Sequence, residues 1–198
     1  MQLRHLWPLL LTLLLTISGC GTSQPSKFYL LSASNNAVQS SGPSLTLGVG
    51  LGPIKFPTYL ERNKILVRTS NNSFKAAEYH RWAEPLDTNF TRVLAQELNS
   101  ALPNASITIY PWRSGKKIET QIVLEVLSFD SDNQNQASLT VRWELIDANK
   151  NSVVPPKQYT YTQRANKSDY DARVAAMSGC VTQLGQALAQ EIVRIHTP

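Results

Sequence analysis

Among the residues able to do covalent chemistry, Cys20 stands in the most telling context. It closes the stretch Ile17-Ser18-Gly19-Cys20, and before it an apolar run from Leu6 to Leu15 is broken only by Pro8 and Thr12, with Arg4 near the start. A positive start, a run of about ten apolar residues and small residues at a cut site describe a secretory signal. A bilayer span would need roughly 20 apolar residues. Small side chains at Ser18 and Gly19 open the Gly19–Cys20 bond to a peptidase, and the Cys20 thiol can accept a diacylglyceryl group as a thioether. The pattern reads as a lipobox. The competing reading, an ordinary signal with a chance cysteine, leaves the thiol's place at the junction unexplained. A single acyl chain anchors a protein only marginally, whereas mature bacterial lipoproteins carry several on one cysteine. The next residue is Gly21, not the aspartate that in enterobacteria holds lipoproteins at the inner membrane, so the periplasmic face of the outer membrane is the expected destination.

No other chemistry-bearing residues group into a site. His5 lies in the signal and His196 is third from the end, which leaves His80 alone in the body of the chain. No histidine-rich metal site can be assembled from that set, and Cys180 has no neighbour at metal-ligand spacing. There is no G-x-S-x-G nucleophile turn. Gly48-Val49-Gly50-Leu51-Gly52-Pro53 is a poor dinucleotide loop, since proline takes the place of a required glycine and no helix succeeds it. The carboxylates are scattered, and His80 as a general base is less favoured than a surface or hydrogen-bonded histidine. The expectation is no catalytic residue, no metal and no cofactor.

Two segments hold residue types that proteins use for contacts. One runs Gly52-Pro53-Ile54-Lys55-Phe56-Pro57-Thr58-Tyr59-Leu60-Glu61-Arg62, the other Tyr79-His80-Arg81-Trp82-Ala83-Glu84-Pro85-Leu86-Asp87. Aromatic and arginine residues are enriched at binding hot spots. Prolines pre-order a loop and reduce the entropy lost on docking. Pro57, Tyr59, Leu60, Trp82, Glu84 and Pro85 are therefore candidates for self-assembly or partner contact. For Trp82 a core position plugging a sheet–helix junction is the equal alternative.

The elements that must carry these residues are set by periodicity. Phe28 to Leu31 reads as a short strand, and Ser32 to Ser44 as a loop. Leu45, Leu47, Val49 and Leu51 alternate with Gly48, Gly50 and Gly52, which is strand period with a glycine face that something must approach closely. Residues 65–68 and 74–79 form a hairpin across Ser70-Asn71-Asn72-Ser73. Asp87 is the expected N-cap of a helix to Leu102, with Phe90, Val93, Leu94, Leu98, Ala101 and Leu102 as its apolar stripe and Pro103 as its stop. Ile107 to Tyr110 is a further strand. A meander of three long strands comes next, marked by Ile122, Leu124 and Val126, by Leu139, Val141, Trp143 and Leu145, and by Tyr159 and Tyr161. Its turns lie at 131–136 and 147–152, and Pro155-Pro156 puts the third strand at an edge or delays its start. From a capping box at Ser168-Asp169-Tyr170-Asp171, Tyr170, Val174, Met177, Val181, Leu184, Leu188, Ile192 and Ile195 recur at helical spacing. Arg173, Gln183, Gln186, Gln190 and Arg194 form the polar face of that helix. A helix laid on the sheet is the favoured reading, and a partner-binding or coiled-coil helix the alternative. The fold class is α+β, two layers, a mostly antiparallel sheet with two main helices packed against it.

The boundaries are a lipoprotein signal at 1–19, a Ser/Thr/Gln/Pro-rich lipidated tether at 20–27 and one periplasmic domain at 28–198. The formal charge of +5 falls by one when Arg4 leaves with the signal. The longest basic run is Lys116-Lys117, so no nucleic-acid partner is implied. Once Cys20 is lipidated Cys180 has no partner for a disulfide, and a buried inert thiol is expected.

A Phe-Tyr-Leu-Leu strand soon after the lipid cysteine, Pro57-Thr58-Tyr59-Leu60, Trp82-Ala83-Glu84-Pro85-Leu86 leading into a helix, and the terminal Tyr170-Asp171 helix together resemble the PqiC family, the ABC-type transport auxiliary lipoproteins. The resemblance covers essentially the whole chain after the signal. It implies a non-enzymatic outer-membrane accessory subunit serving lipid transport and envelope integrity. The implied partner is an inner-membrane protein whose MCE domains form a tunnel across the periplasm, with the lipoprotein docked at the far end as a homo-oligomeric ring. Members of the family also serve other ABC exporters. A periplasmic hydrolase lacks its constellation here, and a free lipid carrier has no support from an apolar fraction of 42%.

Overall fold

The computed structural model describes residues 24–34, 45–113 and 115–197. The longest ladders are the expected meander, β6 (Thr120–Asp132), β7 (Gln136–Asp147) and β8 (Ser152–Arg164). β6 and β7 pair antiparallel with Ile122 opposite Leu145, Leu124 opposite Trp143, Val126 opposite Val141 and Phe129 opposite Leu139. The jump from Val126 to Phe129 breaks the alternation, and a register shift between Val126 and Ser128 restores it, so that Phe129 returns to the apolar face. Both turns are built the same way. Asp132 accepts from the backbone N–H groups of Gln134 and Gln136 at 2.8 and 2.9 Å, and Asp147 from those of Asn149 and Asn151, each at 2.8 Å. Asn135 and Lys150 complete the turns in the left-handed region.

β6 pairs along its other edge with two separate groups. Near its start it meets β2 (Gly48–Lys55), which in turn pairs β5 (Ser106–Ile109). Near its end it meets β3 (Lys64–Ser70), which pairs β4 (Ser73–Trp82), and β4 pairs β1 (Lys27–Tyr29). The β1–β4, β2–β5, β2–β6 and β3–β6 pairings are parallel, while the three hairpin pairings are antiparallel and include the two longest ladders. β8 pairs only β7, and Pro155-Pro156 falls at its register break between Trp143 and Leu145, where a missing donor disturbs no ladder.

α1 (Leu86–Ala101) and α2 (Tyr170–His196) form the second layer on one face of this sheet. Phe90, Val93, Leu94 and Leu98 of α1 and Val181, Leu184, Leu188 and Ile192 of α2 are buried in one core with the apolar residues of β6 and β7. The architecture is the expected two-layer α+β arrangement. α2 runs the length of β6, from Tyr170 beside His80 to His196, whose Nε2 lies 3.2 Å from Thr120 Oγ1. Twenty-seven helical residues at 1.5 Å and thirteen strand residues at 3.3 Å both span about 40 Å, so the layers match in length.

Three local expectations are corrected. α1 starts at Leu86, directly after Pro85, so Asp87 sits inside the first turn, where its charge favours the helix dipole without capping it. α2 is capped by Asp169, not Ser168, and the Asp169 carboxylate accepts from Ala172 N–H at 2.7 Å. Arg173 is buried, because its guanidinium reaches back to the β6–β7 turn and donates to Asp132 O at 2.6 Å and Ser131 Oγ at 3.3 Å. The glycine face of β2 does receive a close neighbour. A Cβ on Gly48 would stand 1.9 Å from the Lys117 carbonyl oxygen, and one on Gly50 2.9 Å from the Trp112 ring.

Candidate functional site

Cys20 and Gly19, with the rest of the signal, lie outside the described residues. The chain just beyond β1 is held firmly. It runs across the helix layer as a strap fixed by side chains in place of a strand ladder. Asn89 of α1 bonds the backbone of Leu31, and Ser178 of α2 accepts from Ser32 N–H at 3.2 Å. Glu97 of α1, nearly fully buried, accepts from Ser34 N–H at 2.6 Å, from Ser34 Oγ at 3.1 Å and from Thr182 Oγ1 of α2 at 2.8 Å. Gly185 lets α2 come close at this point, since a Cβ there would meet Glu97 Cβ at 2.7 Å. A buried carboxylate with three donors is a structural clamp. Its partners are one backbone amide and two hydroxyls, with no histidine among them.

The two contact-rich segments come together, but much of what they bring together is core. Trp82 ends β4 with 6% exposure and Leu60, in the 3-10 turn Thr58–Leu60, has 5%. With Tyr59, Leu86, Phe129 and Met177 they line a cavity of about 10 Å³, at the limit for a single water. Trp82 N–H donates to Asn63 O at 2.7 Å and Leu60 N–H to Pro57 O at 3.0 Å, which fixes the joint. For Trp82 the structure takes the core alternative, and Leu60 is buried beside it: sheet, turn and helix close over them. Pro57, Tyr59 and Glu84 are half-buried and Pro85 is exposed. Tyr59 stacks on Phe74 at 5.3 Å, and the Arg68 guanidinium lies 4.4 Å from the Phe74 ring centroid while bonding Asp130 at 2.9 and 2.7 Å. Burial, and then the Asp130 charge, raise the Tyr59 hydroxyl's titration above its usual range.

His80 stacks on Tyr170 at 3.7 Å, and its Nδ1 shares a 2.8 Å hydrogen bond with Tyr29 Oη. Desolvation, and then Lys27, lower its protonation below the ordinary imidazole range, with Asp171 opposing. Its neighbours are two tyrosines, and no serine or cysteine lies within this cluster. Burial pushes the Cys180 thiol up to about 12, so it is inert at neutral pH. Among the described residues no group of three His, Cys, Asp or Glu side chains could hold a metal ion, and no helix is long and apolar enough to cross a membrane.

Sequence reasoning missed two exposed apolar places: Phe28 and Leu30 on and beside β1, and Ile109 and Tyr110 at the end of β5 near Trp112 and Arg113. The available signal at β1 was alternation. Tyr29 and Leu31 face inward, which leaves Phe28 and Leu30 outward.

The model of the ABC-type transport auxiliary lipoprotein component family matches residues 29–189. The chain belongs to this family. The match starts at Tyr29, at the end of β1, and takes in the Pro57–Leu60 turn, Trp82, α1, the whole meander and α2 as far as residue 189. The intermembrane transport lipoproteins PqiC of Escherichia coli (strain K12) and of Shigella flexneri are each 22% identical over 182 residues, covering 91% of this chain and 94% of theirs. Together these place the chain in the PqiC family. Among solved structures, a crystal structure of an uncharacterised protein matches with a TM-score of 0.70 at 20% identity, covering 85% of this chain and 99% of that one. A protein from Xanthomonas campestris gives 0.68 at 14% identity, with 85% and 95% covered. At these identities the structures bear on the fold.

Proposed function

We propose that this chain is exported, cut between Gly19 and Cys20, lipidated on Cys20 and held at the periplasmic face of the outer membrane as a non-enzymatic accessory subunit of an intermembrane transport system. The signal is residues 1–19, the tether 20–27 and the folded unit 28–198. The observation that carries the reading is a match to a transport lipoprotein family across a fold whose first strand begins seven positions after a lipobox cysteine. The relatives' name, intermembrane transport lipoprotein, supports extending a role in lipid transport and envelope integrity to this chain. The proposed partner is an MCE-domain tunnel protein, met by a homo-oligomeric ring of this lipoprotein. Tyr59 with its stacked Phe74, Pro57, Glu84 and Pro85 remain candidates for these contacts, with Leu60 and Trp82 supporting them from below.

Metabolic labelling with a palmitate analogue tests the anchor. Cys20→Ala should abolish labelling, and retained label would end the lipoprotein reading. Sucrose-gradient fractionation tests the address, with Gly21→Asp expected to hold the protein at the inner membrane of an enterobacterial host. Affinity purification of the lipidated protein from its own membranes tests the partner. Recovery of an MCE-domain protein supports the reading. Recovery of another ABC exporter, which membership of this family also accommodates, would replace it.

A further inference from the structure

We infer that the outward side of β1, Phe28 and Leu30 with the cations around them, rests on an anionic lipid surface, the membrane that carries the tether. The inference rests on lipidation at Cys20. Phe28 is 64% exposed and Leu30 45%, while Tyr29 and Leu31 between and after them are 8% and 2% exposed. The strand is thus amphipathic in the strand period, with one apolar side in the core and the other open. β1 is an edge strand of three residues paired only with β4. Apolar edges of this kind are normally blunted or covered.

Chain length chooses the occupant. Cys20 lies seven positions before Lys27, so even a fully extended tether reaches only about 25 Å. Phe28 therefore never leaves the neighbourhood of the headgroups, and contact with them is an intramolecular event at high effective concentration. Charge agrees with that choice. Register places Arg81 beside Phe28, and Lys64 opposite Arg81, on the same face of the sheet. Lys27 and Arg62 are exposed next to them in the chain. Among the described residues none of these four forms an ion pair, whereas Arg68, Arg92, Lys117, Arg142 and Arg194 each do. The Nε of Arg81 is buried without an acceptor. Asp169 and Asp171 act on Tyr29 and His80 at the inward side of the strands, and Glu61 and Glu78 stand against Arg62, Lys64 and Arg81, which leaves a cation in excess toward anionic headgroups. An aromatic and a leucine bordered by lysine and arginine are the side chains that settle at a membrane–water interface.

The test uses the full lipidated protein reconstituted in vesicles of phosphatidylethanolamine and phosphatidylglycerol. Leu30→Cys is labelled with an environment-sensitive fluorophore; the buried Cys180 stays unlabelled and Cys20 is blocked by its lipid. Tyr110→Cys, just beyond β5 in the separate strand group that joins the start of β6, is the control. We expect nitroxide lipids to quench the label at 30 at least about threefold more than the label at 110. Adding Phe28→Ser, or omitting phosphatidylglycerol, should reduce that quenching at least about twofold. Equal quenching at both positions overturns the inference, as does quenching at 30 that ignores Phe28→Ser, since tethering alone would then explain it. A label at 30 that reports an apolar environment but is not quenched by nitroxide lipids would mean that a second copy covers β1, and overturns it too. A protein that neither carries acyl mass nor floats with the vesicles fails at the lipoprotein reading instead. One that floats with an unquenched label at 30 fails here alone.

Discussion

Asn89 holds Leu31 by both of its backbone groups: its Oδ1 accepts from the Leu31 N–H at 2.6 Å and its amide donates to the Leu31 carbonyl at 3.4 Å. One side chain thus does for the strap what a neighbouring strand would do, with both residues almost fully buried. Asn89→Ala removes the acceptor and leaves a buried N–H unsatisfied, which costs about 1–3 kcal/mol. The expected result is a lower urea midpoint with an unchanged slope. An unchanged midpoint would mean that water or a neighbour replaces the amide.

Trp82 and Tyr59 line the same joint with different burial, so their truncations should separate. Trp82→Ala opens a cavity between sheet, 3-10 turn and helices, and should cost about 3–5 kcal/mol. Tyr59→Ala removes a half-buried ring stacked on Phe74 and should cost clearly less. Melting curves of the two variants check the order, and a milder loss at Trp82 would contradict its place in the core.

Two glycines give opposite expectations. Gly48→Ala forces a Cβ against the Lys117 backbone carbonyl, which cannot step aside cheaply, and should destabilise by about 1–3 kcal/mol or more. Gly179→Ala in α2 meets only the end of the Gln163 side chain. Gly-to-Ala in a helix interior gains up to about 1 kcal/mol, so this variant should be neutral or stabilised once Gln163 swings away. Denaturant midpoints of the pair decide, and equal losses would refute the contrast.

His80 sets a pH dependence. Burial first, then Lys27, hold its folded protonation below the unfolded value near 6.5. As pH falls past that value the unfolded chain takes up the proton first, so stability present above it is lost below it. The loss levels off once the folded imidazole is also protonated. The melting temperature should drop as pH falls through about 6.5, and His80→Gln should flatten the drop. Identical slopes in both proteins would remove His80 as the cause.

The meander and the helices were legible because one residue pattern decided each of them: alternation in Ile122–Val126 and Leu139–Leu145, and three-four spacing from Tyr170 to Ile195. The parallel joins were not legible. That Lys27 sits beside His80 and Val67 beside Ser131 depends on contacts between distant stretches that leave no local trace. Arg173 misled for a related reason, since its acceptors lie about forty residues upstream in the chain. At the candidate surface, residue type identified Pro57–Leu60 and Trp82–Pro85 as unusual. It could not separate an anchor for a partner from a plug for the core, because a large aromatic serves both and only the depth of the joint distinguishes them.

The forked edge of β6 has a consequence for the order in which the molecule can form. β2 with β5, and β3 with β4 and β1, are two patches with no strand pairing between them except through β6, which begins at residue 120. A chain threading through a membrane N-terminus first therefore emerges for more than half its length without the strand that unites what has already appeared. Closing the sheet waits for distant contacts, the slow kind. For a chain exported as proposed, the sheet therefore cannot close until residues 120–132 have crossed.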